Sequence, residues 1–197
     1  MTTDKSQPTG NLIKDLKSIP SPVFYIFAAV AVFAGLFVLG INAVGILTSI
    51  FLVLLVACAS ADINKGIVPD LIVIWIALLA VINYIFNVSY SLENFLSHLI
   101  GAVCISVPML LIALFLKGAF GGGDIKLMAA AGLFLGWKLT LAGAAIGLSI
   151  AGIYGICLVI IKKAKFKSKI RVAPFLVFGL SCATLFGDLI LRLVFPF

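Results

Sequence analysis

Apolar residues run along this chain in long blocks broken by short polar loops. The blocks cover residues 22–40, 43–61, 70–86, 95–116, 124–137, 139–161 and 172–194. Most approach the roughly 20 apolar residues that carry an α-helix across a hydrocarbon layer. The fifth, 124–137, is apolar but short for a full crossing. Gly40-Ile41-Asn42 offers a tight turn between the first two blocks, and Pro69 precedes the third, whose helix Asp70 can cap. The sixth block is rich in glycine and alanine, which suits close helix packing. The pattern predicts an all-α fold, a polytopic transmembrane helix bundle of about six to seven spans.

The first twenty residues break the pattern. They are polar, and Pro8, Pro20 and Pro22 bracket a segment at 11–18 in which Leu12, Ile13 and Leu16 fall at helical spacing. Residues 1–20 are therefore expected to form an N-terminal cytoplasmic segment with a short interfacial helix, and 21–197 a single transmembrane domain. The first apolar block starts too late for a cleaved signal peptide.

Composition sharpens this. Hydrophobic residues make up 63% of the chain and charged ones 11%, which a water-soluble domain of this size does not need. The net charge of +7 gathers in short loops, a pattern that orients a membrane protein rather than one that binds nucleic acid. With the N-terminus cytoplasmic, all but Lys138 and Arg192 of the 14 basic residues fall on the cytoplasmic side. That bias supports seven crossings in the cytoplasmic membrane. A re-entrant fifth block would put the basic loop at 162–171 outside, against the rule. The cysteines, Cys58, Cys104, Cys157 and Cys182, lie far apart in apolar blocks with no CxxC pair. They are expected to be buried free thiols, and no zinc knuckle can form.

Two acids stand where such a chain should avoid them. Asp62 ends the second block, and Gly121-Gly122-Gly123-Asp124-Ile125-Lys126 joins the fourth to the fifth. Ionisable groups at the rim of a bilayer are costly and usually functional. Glycines permit close backbone approach or unusual turn angles. Taken alone, the glycine stretch could be an ordinary turn with Asp124 as an N-cap. The second acid weighs against that. Two crossings separate Asp62 from Asp124, so both lie at the same membrane face, predicted to be the cytoplasmic one. Paired carboxylates can share a proton, one activating a water while the other protonates or polarises a carbonyl. That chemistry requires no metal, cofactor, serine or thiol.

The arrangement Asp62-x6-Pro69-Asp70 followed by Gly121-x-Gly123-Asp124-x-Lys126-Leu127 resembles the type IV prepilin peptidases and their preflagellin-peptidase relatives, intramembrane aspartyl proteases of the GxGD type. The resemblance continues through Met128-Ala129-Ala130-Ala131-Gly132-Leu133-Phe134-Leu135-Gly136-Trp137 and weakly to Ala173-Pro174-Phe175, covering roughly residues 43–194. It implies that 21–197 is a transmembrane peptidase domain with Asp62 and Asp124 as the catalytic pair. Gly121, Gly123 and Lys126 would belong to the active-site loop. It implies cleavage of a prepilin-like or preflagellin-like leader just after a glycine, at the cytoplasmic face, before a hydrophobic helix. Many members carry a cytoplasmic insertion with two CxxC pairs and also methylate the new N-terminus. This chain has neither the insertion nor its cysteine pairs, so the expectation is a peptidase alone, or one that methylates with a partner.

Other readings stay open. Acids in a glycine-rich bundle also serve small ion- or proton-coupled transporters, though no internal repeat of the transporter kind is visible. A non-catalytic assembly factor would have little use for two costly acids. Asp70 reads as a helix cap or a support near the site, and Lys126 as a group that tunes the acids or binds lipid phosphate. His98, far from the acids, reads as packed or interfacial. Asp188 and Arg192, four apart, should pair on one helix face. Asn87-Val88-Ser89 matches a glycosylation sequon, a weak signal. The glycine loop lacks the Lys-Ser/Thr of a phosphate loop.

Overall fold

The computed structural model describes residues 22–87, 92–116, 120–161 and 171–194. The N-terminal segment, the sequon at 87–89, the basic loop up to 170 and the pairing of Asp188 with Arg192 lie outside what it describes. The described residues form helices and no strands: α1 (Pro22–Leu39), α2 (Ala43–Lys65), α3 (Asp70–Asn87), α4 (Leu92–Cys104), α5 (Ser106–Phe115), α6 (Gly122–Leu135), α7 (Trp137–Ile160), α8 (Ala173–Leu185) and α9 (Gly187–Val194). The all-α membrane bundle expected from the pattern is what the chain builds.

Local chemistry sets the boundaries. Gly40 takes φ 81 to turn the chain after α1. Asn42 then caps α2, its Oδ1 accepting the Gly45 N–H at 2.8 Å. Gly66 ends α2 in the left-handed region, φ 67, and donates its N–H to the Asp62 carbonyl at 2.8 Å. Asp62 thus sits inside the last turn of α2, not beyond its end.

Two blocks read as single spans are divided. The fourth breaks at Ile105. Pro108 has no N–H to donate to the Cys104 carbonyl, so one rung of the ladder is lost there. The stretch Leu92–Phe115 is still 24 residues long and apolar enough to cross a membrane. The seventh block breaks at Phe186 into α8 and α9, so 172–194 is not one helix. Ala43–Lys65 and Trp137–Leu158 also have the length and apolarity to cross; Phe24–Leu39, Asp70–Phe86 and Ala173–Leu185 are shorter apolar helices.

The short fifth block becomes α6, and it is the centre of the bundle. Its 14 residues rise about 21 Å, against about 30 Å of hydrocarbon. It packs against α3, α4, α5, α7 and α8. Leu127, Met128 and Ala131 are fully buried, and the Phe134 ring stacks on Phe51 of α2 with centroids 4.2 Å apart. Small residues let the helices close up. A Cβ on Gly132 would stand 2.0 Å from the Gly101 carbonyl oxygen of α4, and one on Gly179 of α8 would stand 2.2 Å from that of Gly143 of α7.

The cysteines correct an expectation. All four are free, but only Cys58 is buried; Cys104 and Cys182 are half-buried and Cys157 is exposed on an outward helix face. An apolar block in a membrane bundle has a face turned away from the protein, and a small apolar thiol is tolerated there.

Candidate active site

Four segments meet at one end of the bundle: the last turn of α2, the connection 66–69, the start of α3 and the first turn of α6. They enclose a cavity of about 330 Å³, lined by Asp62, Val68, Asp70, the glycines 121–123, Asp124 and Lys126 among others. Both acids singled out in the sequence therefore face one space. Their side chains are 7% exposed.

Each acid is held by the end of its helix. Asp62 is fixed by the α2 ladder, closed off by Gly66. Its Oδ2 is buried and makes no hydrogen bond with the described residues. Asp124 is the third residue of α6. Its N–H donates to the Gly121 carbonyl at 3.0 Å, and its Oδ2 accepts the Gly121 N–H at 3.2 Å. The carboxylate thus reaches back to the helix start from inside the first turn, and Gly121, not Asp124, occupies the N-cap position.

Asp124 lies outside the helices long enough to span. Burial raises its carboxyl to about 6. The nearby Asp62 charge adds to the rise, and the Gly121 N–H opposes it.

The glycines have separate tasks. A Cβ on Gly123 would meet the Val68 Cβ at 2.7 Å, whereas one on Gly122 would meet none of the described residues within 4 Å. None of the three takes a positive φ. At Gly123 the lost side chain serves close packing, not a turn.

Lys126 donates to Asp70 Oδ1 at 2.8 Å, an ion pair joining α6 to the start of α3. Asp70 is the first residue of α3, and the Pro69 carbonyl accepts the Ile72 and Val73 N–H groups, so Pro69 stands in the capping place foreseen for Asp70. The Arg171 guanidinium donates to the Ile63 carbonyl, one of those without a helical partner at the end of α2, and lies beside Gly66. His98 sits at the other end of α6, its Nδ1 2.8 Å from the Leu133 carbonyl oxygen and its ring edge-on to Tyr84. It is a packed histidine, as expected.

Among the described residues no three of His, Cys, Asp and Glu gather as a metal-binding group. Sequence reasoning missed Val68 and Arg171, and it did not join Asp70 to Lys126. Val68 is one apolar residue among many, and Arg171 follows a basic loop. Nothing in their local sequence marks either.

The described residues thus form a bundle with span-length apolar helices and two buried acids lining one cavity. The sequence model of the type IV leader peptidase family matches residues 49–156, a stretch that contains both acids. The chain is also similar to a Bacillus subtilis prepilin leader peptidase/N-methyltransferase, 31% identical over 143 residues, which cover 72% of this chain and 56% of that protein. The chain belongs to the type IV leader peptidase family. The alignment spans little more than half the length of that relative. No solved structure gives a significant match.

Proposed function

We propose that this protein is a membrane-embedded aspartic endopeptidase that removes the leader of type IV prepilin-like or preflagellin-like proteins. One observation carries the reading: Asp62 and Asp124, both buried, line a single cavity within the family-matched region.

The chemistry follows from the two environments. With one proton between them, the ionised carboxyl takes a proton from a water, whose oxygen attacks the scissile carbonyl carbon. The protonated carboxyl donates to the carbonyl oxygen as charge develops there. Collapse of the tetrahedral intermediate breaks the C–N bond: the proton taken from water goes to the leaving amine, and the one lent to the carbonyl oxygen returns to the dyad. Asp62 Oδ2, with no hydrogen-bond partner among the described residues, is suited to bind the water. Asp124, with its raised affinity for a proton, is suited to hold the shared one.

The family supports a prepilin-like substrate. The cut lies just after a glycine, where helix is weakest, by about 1 kcal/mol relative to alanine. A hydrophobic helix can lie against the bundle while the glycine unwinds toward the acids. We place the site at the cytoplasmic face of the cytoplasmic membrane, with the N-terminus also cytoplasmic, on the charge bias of the loops. With no CxxC pair in the chain, the reading is a peptidase alone, or one whose product is methylated with a partner.

The test is incubation of detergent-purified protein with a prepilin-like peptide carrying a basic leader, a glycine and a hydrophobic run. N-terminal sequencing should show a cut after the glycine. Cleavage that survives Asp62→Asn or Asp124→Asn would overturn the reading and favour a transporter that uses the same acids.

A further inference from the structure

The two acids are 62 positions apart and come from different helices, so something must fix their separation. The connection 66–69 and the start of α3 lie against the first turn of α6 through two described contacts. Gly123 backs onto Val68, where a Cβ would come within 2.7 Å of the Val68 Cβ. This is a stop: it limits approach and hardly resists separation. Beside it, Lys126 Nζ stands 2.8 Å from Asp70 Oδ1. This is a tie: it resists separation. Lys126 follows Asp124 by two residues, and Asp70 begins the helix that leaves the Asp62 loop.

Resting on the leader-peptidase reading, we propose that the Asp70–Lys126 pair is a positioning clamp that holds the two aspartates at their working separation. The side chains of the pair are 57% and 56% exposed. An ion pair so exposed adds little to global stability. Its effect therefore falls on the local spacing of the helix ends, and a catalytic constellation loses rate when displaced by about 1 Å. The pair is more than half exposed while the two acids are buried, so Asp70 and Lys126 act through Asp62 and Asp124 rather than on the scissile bond.

The test compares the parent with Lys126→Met, Asp70→Asn and the swapped double variant Asp70→Lys/Lys126→Asp. Two quantities are read: kcat and KM on a prepilin-like peptide, and amide hydrogen exchange in the segments 66–70 and 121–126. The single variants should lose at least tenfold in kcat with KM within about twofold, and both segments should exchange faster. The swap rebuilds the tie with reversed charges and should restore slow exchange and most of the lost kcat. Parental kcat and exchange in the single variants would overturn the clamp. So would a swap that restores exchange but not kcat, since Lys126 would then act directly on the substrate. If the parent cleaves no such peptide, the leader-peptidase reading fails, and the exchange data alone decide whether the pair ties the helix ends.

Discussion

Gly123 backs onto Val68 so closely that a Cβ added to the glycine would lie 2.7 Å from the Val68 Cβ and 3.3 Å from its Cγ2. The neighbour that must yield is a β-branched side chain on a short connection, and it is itself buried. Gly123→Val should therefore push the 66–69 connection off α6 and abolish cleavage, while the protein still inserts and elutes as the parent does. Gly123→Ala should cut the rate at least tenfold. Gly122→Ala is the control: its Cβ meets none of the described residues and should leave near-parental activity. A cleavage assay on size-exclusion-matched variants checks this, and equal rates for the two alanine variants would contradict it.

The paired acids give the second expectation. Asp62→Asn and Asp124→Asn should each abolish cleavage, because a site with one acid cannot both activate water and protonate the carbonyl. The double variant should be no worse than either single one, since residues that act as a unit are strongly non-additive. Single-turnover assays with excess enzyme set the floor. Near-parental turnover in either single variant would remove the protease assignment.

The outline of this site was legible because its two acids violate the composition around them. A carboxylate in an apolar block stands out at any position, and counting crossings put Asp62 and Asp124 at one face. The all-α bundle was equally legible from block length. The partners were not, because Val68 looks like every other apolar residue and its role depends on which backbone faces it. The join of Asp70 to Lys126 is a contact across 56 positions that no local spacing announces. The breaks at Ile105 and Phe186 were missed for another reason. Block length records apolarity, and an apolar residue at a helix break is no less apolar.

Gly66 closes α2 one residue after Lys65, with φ 67. The space there admits a Cβ, whose nearest neighbour would be Arg171 Nε at 3.9 Å. The penalty of Gly66→Ala is thus conformational and should be about 1 kcal/mol. Because the same turn carries Asp62, the variant should lose cleavage in proportion to the displacement of that helix end. Thermal unfolding in detergent measures the first effect and kcat the second. An unchanged melting temperature would show that the turn is not held in this conformation.

Donor chemistry sets the fourth expectation. The cavity offers two buried carboxylates and no imidazole, and His98 lies at the opposite end of α6. Cleavage should therefore be unchanged after exhaustive chelation. Loss of activity under chelator, recovered by added zinc, would contradict it.

The last expectation concerns pH. Asp124 holds its proton up to about 6, against 3.8 for an ordinary aspartate, chiefly because burial penalises the charge and then because Asp62 repels it. The folded state therefore binds this proton more tightly than the unfolded chain does. That contribution to stability is fully present below about pH 3.8, falls as pH rises toward 6 and is lost above it. Asn resembles the protonated carboxyl in shape and keeps an oxygen that can accept the Gly121 N–H. Asp124→Asn should then melt higher than the parent at pH 7 to 8, and the gap should narrow as pH falls through 6 and close near 4. Melting curves of the two proteins in one detergent, across that range, check it. If the Asn variant is the less stable protein at pH 8, the ionised carboxylate is held by favourable contacts rather than by burial, and Asp62 becomes the better candidate for the shared proton.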